Sequence, residues 1–239
     1  MICGDTRMAS DNSQHDASPA VLFDVDGTLV DSNYLHVHAW QRAFVTEDVT
    51  VEAWRIHRCI GMDGSALVKT LSDDADDDVR NRLKDGHSRY YRETASMLTP
   101  LPGARELLHR IADVGLQVVL ATSAPEDELA MLREVLDCDD IVSAVTSSRD
   151  VDTAKPKPDI LHVALGRAGV TADRAVFIGD AVWDAEAARR AGVTCIGVLS
   201  GGVSRSELVS AGAVEVFENA AQLLDHLDET PIAALKSNR

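Results

Sequence analysis

Short apolar runs alternate with amphipathic helical patterns from residue 100 to about residue 227. This alternation is typical of βαβ units, which build a parallel sheet covered by helices on both faces. One expected strand, 21–23, precedes this region. The expected strands within it are 117–121, 141–145, 175–178, 194–198 and 213–217. The expected helices are 104–114, 126–136, 158–168, 181–191, 205–210 and 219–227. The pattern therefore predicts an α/β fold with a Rossmann-like parallel sheet as its core.

Between the first and second expected strands, every periodic pattern is helical. The expected helices there are 33–45, 51–60, 64–71 and 75–97. Nearly a hundred residues separate the ends of the two strands, whereas a βαβ unit needs only about 30. We therefore expect an inserted α-helical cap at 32–99, and a catalytic core formed by 19–31 and 100–227. A cap above the strand ends would exclude water and select the substrate.

Both ends of the chain lack the patterns of packed elements. Residues 1–18 are polar and contain no apolar stretch of the kind found in a signal peptide. We expect a flexible N-terminal extension at 1–18 and a flexible tail at 228–239.

Composition then narrows the class of protein. The chain has 239 residues, of which 45% are hydrophobic and 26% charged, as in globular domains. No apolar run approaches the roughly 20 residues that span a bilayer, and a net charge of −16 disfavours nucleic acid as a partner. The four cysteines lie far apart, which indicates neither a zinc site nor a disulfide framework. We expect a cytoplasmic protein that binds neither membrane nor nucleic acid, and the oligomeric state stays open.

The first strand ends in a pair of carboxylates, Asp24 and Asp26. An extended backbone directs both side chains the same way, and Gly27 allows a sharp turn after them. Such a pair suits a nucleophile with a general acid/base beside it, and Mg²⁺ would offset the crowding of negative charge. The alternative is a turn in which Asp24 or Asp31 caps the next helix.

Two further strand ends carry a hydroxyl pair and a lysine. Thr122 and Ser123 follow the second strand and could hold phosphoryl oxygens, or they could simply start the next helix as a cap or turn. Lys155 stands in a loop stiffened by two prolines, where it would neutralise a phosphoryl group, although a loop lysine can equally be a surface residue.

The strand at 175–178 ends in a second pair of acids, Asp180 and Asp184. These residues are four apart at the start of a helix, which favours one metal ligand and one supporting acid. Aspartate in the first turn of a helix is also favoured by electrostatics alone, so for Asp184 the two readings stay open. Together the four strand ends provide the groups needed for metal-assisted phosphoryl transfer.

In this order, the motifs resemble those of the haloacid dehalogenase-like superfamily. They are the aspartate pair followed by Gly27-Thr28, the Thr122-Ser123 hydroxyls, Lys155-Pro156, and Gly179-Asp180 with Asp184. The resemblance covers about residues 19–227, and the insertion resembles the C1 cap of the phosphoglycolate phosphatase and β-phosphoglucomutase branch. The first motif is the most specific, while the hydroxyl and lysine motifs gain weight only through their order.

The resemblance implies a role for each matching residue. It implies that Asp24 is the nucleophile, that Asp26 is the general acid/base, and that Thr122, Ser123 and Lys155 bind the phosphoryl group. It also implies that Mg²⁺ is held by Asp24, Asp26 through its backbone carbonyl, and Asp180, with Asp184 supporting the metal. An acid at position 26 disfavours dehalogenation, because the true dehalogenases of the superfamily lack it.

Cap residues bear on the choice between a phosphatase and a mutase. His36 resembles a histidine of the β-phosphoglucomutase branch and is expected among the substrate-binding residues, or it is a satisfied histidine on a helix face. Ile60 and Gly64 replace the lysine and arginine that the mutase pattern would place there, which favours hydrolysis. Arg58 could replace those cations as a substrate ligand, or it could be solvated.

We therefore expect a Mg²⁺-dependent phosphatase acting on a small phosphorylated metabolite through an aspartyl phosphate. The alternatives are a sugar phosphomutase and a non-enzymatic, receiver-like phosphate-signalling module. The receiver is disfavoured because receiver domains lack a cap and carry their phosphorylated aspartate on a later strand.

Overall fold

A computed structural model describes residues 17–72, 74–151 and 155–237. Its core is a six-stranded sheet in the order β3-β2-β1-β4-β5-β6, with every pairing parallel. The strands are β1 Ala20–Phe23, β2 Gln117–Ala121, β3 Val142–Thr146, β4 Ala175–Gly179, β5 Thr194–Val198 and β6 Glu215–Phe217. The predicted Rossmann-like α/β fold is confirmed, and each strand lies within two residues of its expected position.

Four α-helices of the described residues lie between β1 and residue 100. They are α1 Asn33–Thr46, α2 Ala53–Cys59, α3 Gly64–Leu71 and α4 Asp77–Arg92. Their apolar faces form a hydrophobic cluster of their own, in which Phe44, Ile56 and Leu83 are among the fully buried side chains. A separate cluster is what an inserted unit requires, because each unit must bury its own apolar surface. These helices fill the interval 32–99 that we propose as the cap.

Seven α-helices among the described residues accompany the sheet. They are α5 Ala104–Asp113, α6 Glu126–Leu136, α7 Asp159–Ala168, α8 Val182–Ala191, α9 Arg205–Ala211, α10 Ala220–Asp225 and α11 Pro231–Ser237. Along β1, Val21 and Phe23 belong to one hydrophobic cluster while Ala20 and Leu22 belong to another. Successive side chains of a strand point to opposite faces, so the sheet is buried on both sides.

The C-terminal tail differs from the prediction that 228–239 is flexible. Residues Pro231–Ser237 form α11, and the side chains of Ile232 and Leu235 are buried in the main hydrophobic cluster. Proline at the first helical position is compatible with a helix start, since its missing N–H has no intrahelical partner there. The buried apolar pair anchors the segment to the core. The predicted N-terminal extension lies outside the described residues up to position 16.

The described helices include none that is both long and apolar enough to cross a membrane. Cys59, Cys138 and Cys195 are buried and free of disulfide bonds, as the cysteine spacing predicts, while Cys3 lies outside the described residues.

Candidate active site

Asp24 lies at the carboxyl end of the central strand, where a lysine from another loop meets it. Its backbone N–H donates to the carbonyl of Ile178, which continues the pairing of β1 with β4. The ammonium group of Lys155 lies 2.5 Å from Oδ1 of Asp24 and 2.8 Å from Oδ1 of Asp184. All three side chains are buried, so the lysine is not a surface residue. It neutralises part of the charge of two carboxylates.

Burial is the largest single influence on the pKa values of Asp24 and Lys155. Loss of solvation raises the pKa of Asp24 well above its usual value, because the nearby Lys155 only partly compensates and Asp184 adds repulsion. Burial by itself would lower the pKa of Lys155, but Asp184 and Asp24 outweigh it and raise the pKa. The lysine therefore stays charged, whereas burial disfavours the ionised form of Asp24.

A cluster of three acids supplies the place for that cation. Asp24, Asp180 and Asp184 each offer a carboxylate oxygen, and these oxygens lie within 4.8 Å of one another. Asp180 is oriented by hydrogen bonds of 2.8 Å from Thr28 Oγ1 and Asn33 Nδ2. Burial and the neighbouring Asp184 raise the pKa of Asp180. Three buried carboxylates against one ammonium fit a hard divalent metal ion, and the ordered oxygens are the ligands that it prefers.

Glycine at position 179 makes room for one of these acids. A Cβ placed on Gly179 would lie 2.6 Å from the Cβ and Cγ of Asp184, a distance that folded proteins do not tolerate. Asp184 in turn accepts a 3.1 Å hydrogen bond from the backbone N–H of Ala181, so it does cap the helix start as well. The helix-start reading of Asp184 is therefore observed, and its role beside a metal ion stays a prediction.

Asp26 lies beside the same cavity, held by two cap-side groups. Ser32 Oγ donates to its Oδ1 at 2.6 Å, and His36 Nε2 lies 3.2 Å from the same oxygen. Burial would raise the pKa of Asp26, but the charge and hydrogen bond of His36 outweigh it and lower the pKa. The pKa of His36 is raised for the reciprocal reason, since Asp26 offsets its burial. Each group therefore favours the charged form of the other.

The hydroxyl pair at the end of β2 faces the cavity. Thr122 Oγ1 accepts a 3.0 Å hydrogen bond from the N–H of Ala124, which forms the local turn that the sequence allowed as an alternative. The O–H of Thr122 can still donate to a ligand. Ser123 Oγ is buried, and no described residue offers it a hydrogen bond. A buried hydroxyl without a partner costs free energy, so it is suited to receive a ligand oxygen.

These groups line one cavity of about 490 Å³ between the core and the cap. The core contributes residues from four strand ends, and the cap closes the opposite side. The lining includes Asp24, Asp26, Thr122, Ser123, Lys155 and Asp180 from the core and Asn33, His36, Trp40, Ile60, Gly64, Lys84 and His87 from the cap. The predicted site residues of the core therefore converge.

Comparisons with known proteins agree with this geometry. The family model for haloacid dehalogenase-like hydrolases matches residues 21–198. This chain belongs to that family. It is 32% identical over 218 residues to a phosphoglycolate phosphatase of Rhodospirillum rubrum, covering 87% of this chain and 90% of the relative. It is 29% identical over 206 residues to a phosphorylated carbohydrates phosphatase of Thermotoga maritima, covering 83% and 94%.

A solved structure extends the comparison to three dimensions. A hydrolase from Pseudomonas syringae is 39% identical to this chain and superposes with a TM-score of 0.85, covering 89% of this chain and 99% of that one. The two proteins therefore share one fold over nearly the whole of that structure.

Two side chains of this hydrolase that the sequence did not reveal lie behind His36. His87 Nε2 lies 3.0 Å from His36 Nδ1, and Glu128 Oε1 lies 3.9 Å from His87 Nδ1. Burial, and next the charge of His36, lower the pKa of His87 well below its usual value. Burial raises the pKa of Glu128 to about 7. No local motif marks either residue, because both contacts join distant segments.

Arg58 does not reach the cavity of this hydrolase, contrary to the prediction that it binds substrate. Its guanidinium forms a 2.6 Å ion pair with Glu207 of α9, and both side chains are partly exposed. The neighbouring His57 meets the carbonyl of Gly201 at 2.9 Å. Helix α2 thus presents these side chains to the core, so Arg58 joins cap and core outside the cavity.

Proposed function

We propose that the protein is a Mg²⁺-dependent phosphatase that hydrolyses a small phosphorylated metabolite through an aspartyl phosphate on Asp24. One observation carries the proposal. The buried Asp24 carboxylate touches Lys155 at 2.5 Å and shares a cavity with Asp26. A nucleophile, a phosphate-neutralising cation and an acid/base thus occupy one enclosed space.

The first step transfers the phosphoryl group to the protein. A carboxylate oxygen of Asp24 attacks phosphorus while the bond from phosphorus to the leaving oxygen breaks. Asp26 enters this step as a protonated carboxyl and gives that proton to the leaving oxygen. Lys155 and the hydroxyls of Thr122 and Ser123 bind the remaining phosphoryl oxygens, which carry the developing charge.

The second step releases phosphate. Asp26, now ionised, takes a proton from a water molecule as its oxygen attacks phosphorus. The bond between phosphorus and the Asp24 oxygen breaks, which restores the carboxylate. The cap over the cavity limits this reaction to water admitted after the leaving group departs.

Mg²⁺ would be held by the carboxylates of Asp24, Asp180 and Asp184 with the backbone carbonyl of Asp26. Its charge would offset the repulsion between those carboxylates and the substrate phosphate. Lys155 alone cannot balance three buried acids, and this imbalance supports the assignment.

The cavity favours a small substrate of the phosphoglycolate or sugar phosphate type. Its volume of about 490 Å³ suits a metabolite, and Lys84 of α4 provides a second ammonium for a distal polar group. Ile60 and Gly64 also line it where the mutase pattern would have a lysine and an arginine, and the loss of both cations supports hydrolysis over a phosphomutase. The names of the two phosphatase relatives support the same choice.

Hydrolysis of p-nitrophenyl phosphate tests the proposal. We expect turnover with Mg²⁺, none with a chelator, and loss of turnover in Asp24→Asn, while Asp31→Asn, an exposed acid seven positions on, keeps the wild-type rate. Turnover by Asp24→Asn would contradict the mechanism. A panel from two-carbon phosphorylated acids to hexose phosphates then identifies the substrate class, and conversion of a hexose phosphate into its isomer would favour the mutase.

A further inference from the structure

The cap carries two buried histidines in direct contact. His36 belongs to α1 and His87 to α4, and these helices pack side by side in the cap. His36 Nδ1 lies 3.0 Å from His87 Nε2, and both residues are at most 8% exposed. Burying two imidazoles costs free energy unless their ring nitrogens are hydrogen-bonded, so the pair needs partners at both ends.

Each end of the pair faces a carboxylate of the core. On the inner side, His36 Nε2 lies 3.2 Å from Oδ1 of Asp26. On the outer side, Glu128 Oε1 lies 3.9 Å from His87 Nδ1, beyond hydrogen-bond distance. The firm contacts are therefore those from His87 through His36 to Asp26, and they are complete only with the cap seated on the core.

The contacts determine which imidazole nitrogens donate hydrogen bonds and which accept them. The carboxylate of Asp26 accepts, so His36 must present Nε2–H to it. The partner of Nδ1 then decides whether that tautomer persists. His87 Nε2 can accept from Nδ1–H when His36 is charged, and can donate to Nδ1 when His36 is neutral, so His36 stays oriented in both states.

Aromatic rings prevent the pair from turning. The Tyr91 ring stacks on His36 with centroids 3.9 Å apart, and the Trp40 ring stacks on His87 at 4.1 Å. Stacking restricts each imidazole to one plane, in which its nitrogens meet their partners. The Tyr91 ring on its face and His87 at its Nδ1 thus fix the orientation of His36.

These contacts distinguish the two carboxylate oxygens of Asp26. Both side-chain hydrogen bonds that the described residues make to this carboxylate, from Ser32 and His36, go to Oδ1. With Oδ1 held, Oδ2 is the oxygen left to exchange a proton with the leaving group or water. General acid/base catalysis depends on such alignment.

We propose that His87 is a positioning residue, which through His36 holds Asp26 so that Oδ2 faces the reacting oxygen. The inference rests on the proposed phosphatase function and adds to it a residue that does not touch the substrate. Its role is distinct from packing, because it depends on a hydrogen-bonding nitrogen at the position of Nε2.

Two substitutions of His87 separate these roles. His87→Phe keeps an aromatic ring against Trp40 but has no nitrogen, whereas His87→Gln loses the ring and keeps an amide that can accept or donate. His87→Met removes the nitrogen with a flexible side chain, and gives the same comparison if Phe is not accommodated. His38→Phe, an exposed histidine on α1, is the control.

Phenyl phosphate and p-nitrophenyl phosphate are the probes. They have similar shapes, but phenolate is the poorer leaving group and needs more help from a general acid. First-turnover release of each phenol, with Mg²⁺ and enzyme in excess, reports the step in which Asp26 gives its proton. Wild-type protein that releases neither phenol refutes the phosphatase function itself, independently of His87.

We expect His87→Phe and His87→Met to slow first-turnover phenol release from phenyl phosphate at least about tenfold. The same variants should slow release from p-nitrophenyl phosphate less than about threefold. His87→Gln should retain the wild-type ratio of the two rates. Equal slowing of both esters, no slowing in the variants without nitrogen, or a changed ratio in His87→Gln would each overturn the positioning role.

Discussion

The ammonium group of Lys155 lies 2.5 Å from the Asp24 carboxylate, although 131 residues separate them in the chain. The same ammonium lies 2.8 Å from Asp184, and all three side chains are buried. A buried cation shared by two carboxylates, one of them the proposed nucleophile, prepares the site for a phosphate group.

Replacing Lys155 tests this relationship. Lys155→Met removes the charge that would neutralise the phosphoryl group, and we expect kcat/KM for p-nitrophenyl phosphate to fall at least about 100-fold. Lys157→Met changes an exposed lysine two positions away and should keep the wild-type value. Comparable activity in the two variants would contradict the role of Lys155.

The acid cluster predicts that Mg²⁺ stabilises the folded protein. A ligand present at about 100 times its Kd adds roughly 2.7 kcal/mol to the free energy of unfolding. Asp180→Asn removes one carboxylate of the cluster, so its Tm should rise less with Mg²⁺ than that of the wild type in a thermal melt. Asp31→Asn should show the full rise, and an equal rise in Asp180→Asn would remove Asp180 from the metal site.

Glu128 predicts a pH dependence of stability. Burial raises its pKa from 4.5 to about 7, so between these values the folded protein keeps a proton that the unfolded chain has lost. Stability therefore falls as pH rises through this window. Glu128→Gln has no proton to lose, and its free energy of unfolding relative to wild type should increase by roughly 2–3 kcal/mol from pH 5 to pH 8.

Urea denaturation at the two pH values measures this difference. Glu134→Gln, which changes an exposed acid on the same helix, should differ from wild type by the same amount at both. A pH-independent difference for Glu128→Gln would mean that Glu128 is ionised in the folded state.

The C-terminal helix predicts a cost for a substitution that is remote from the site. Ile232 is fully buried, so Ile232→Ala should lower the free energy of unfolding by about 2–4 kcal/mol. Ala234→Gln, at an exposed position of α11, should change it by less than about 0.5 kcal/mol. Denaturant titration distinguishes them, and similar values would show that α11 contributes little to the core.

Much of the core could be predicted because parallel strands share an edge. The apolar runs predict the strands, and strand ends at one edge bring Asp24, Thr122 and Asp180 together. Lys155 follows β3 by nine residues, so its approach to Asp24 depends on the path of the loop. The C-terminal helix was missed because one apolar pair in seven residues, Ile232 and Leu235, is too short a pattern to separate from a tail.

The sequence by itself determined the fold class, the helical insertion after β1 and the convergence of the core residues, since periodicity and strand ends are local properties of the chain. Only the tertiary structure decided which cap side chains face the site. It brought His87 to His36 and paired Arg58 with Glu207, because those contacts depend on how helices distant in sequence pack against one another.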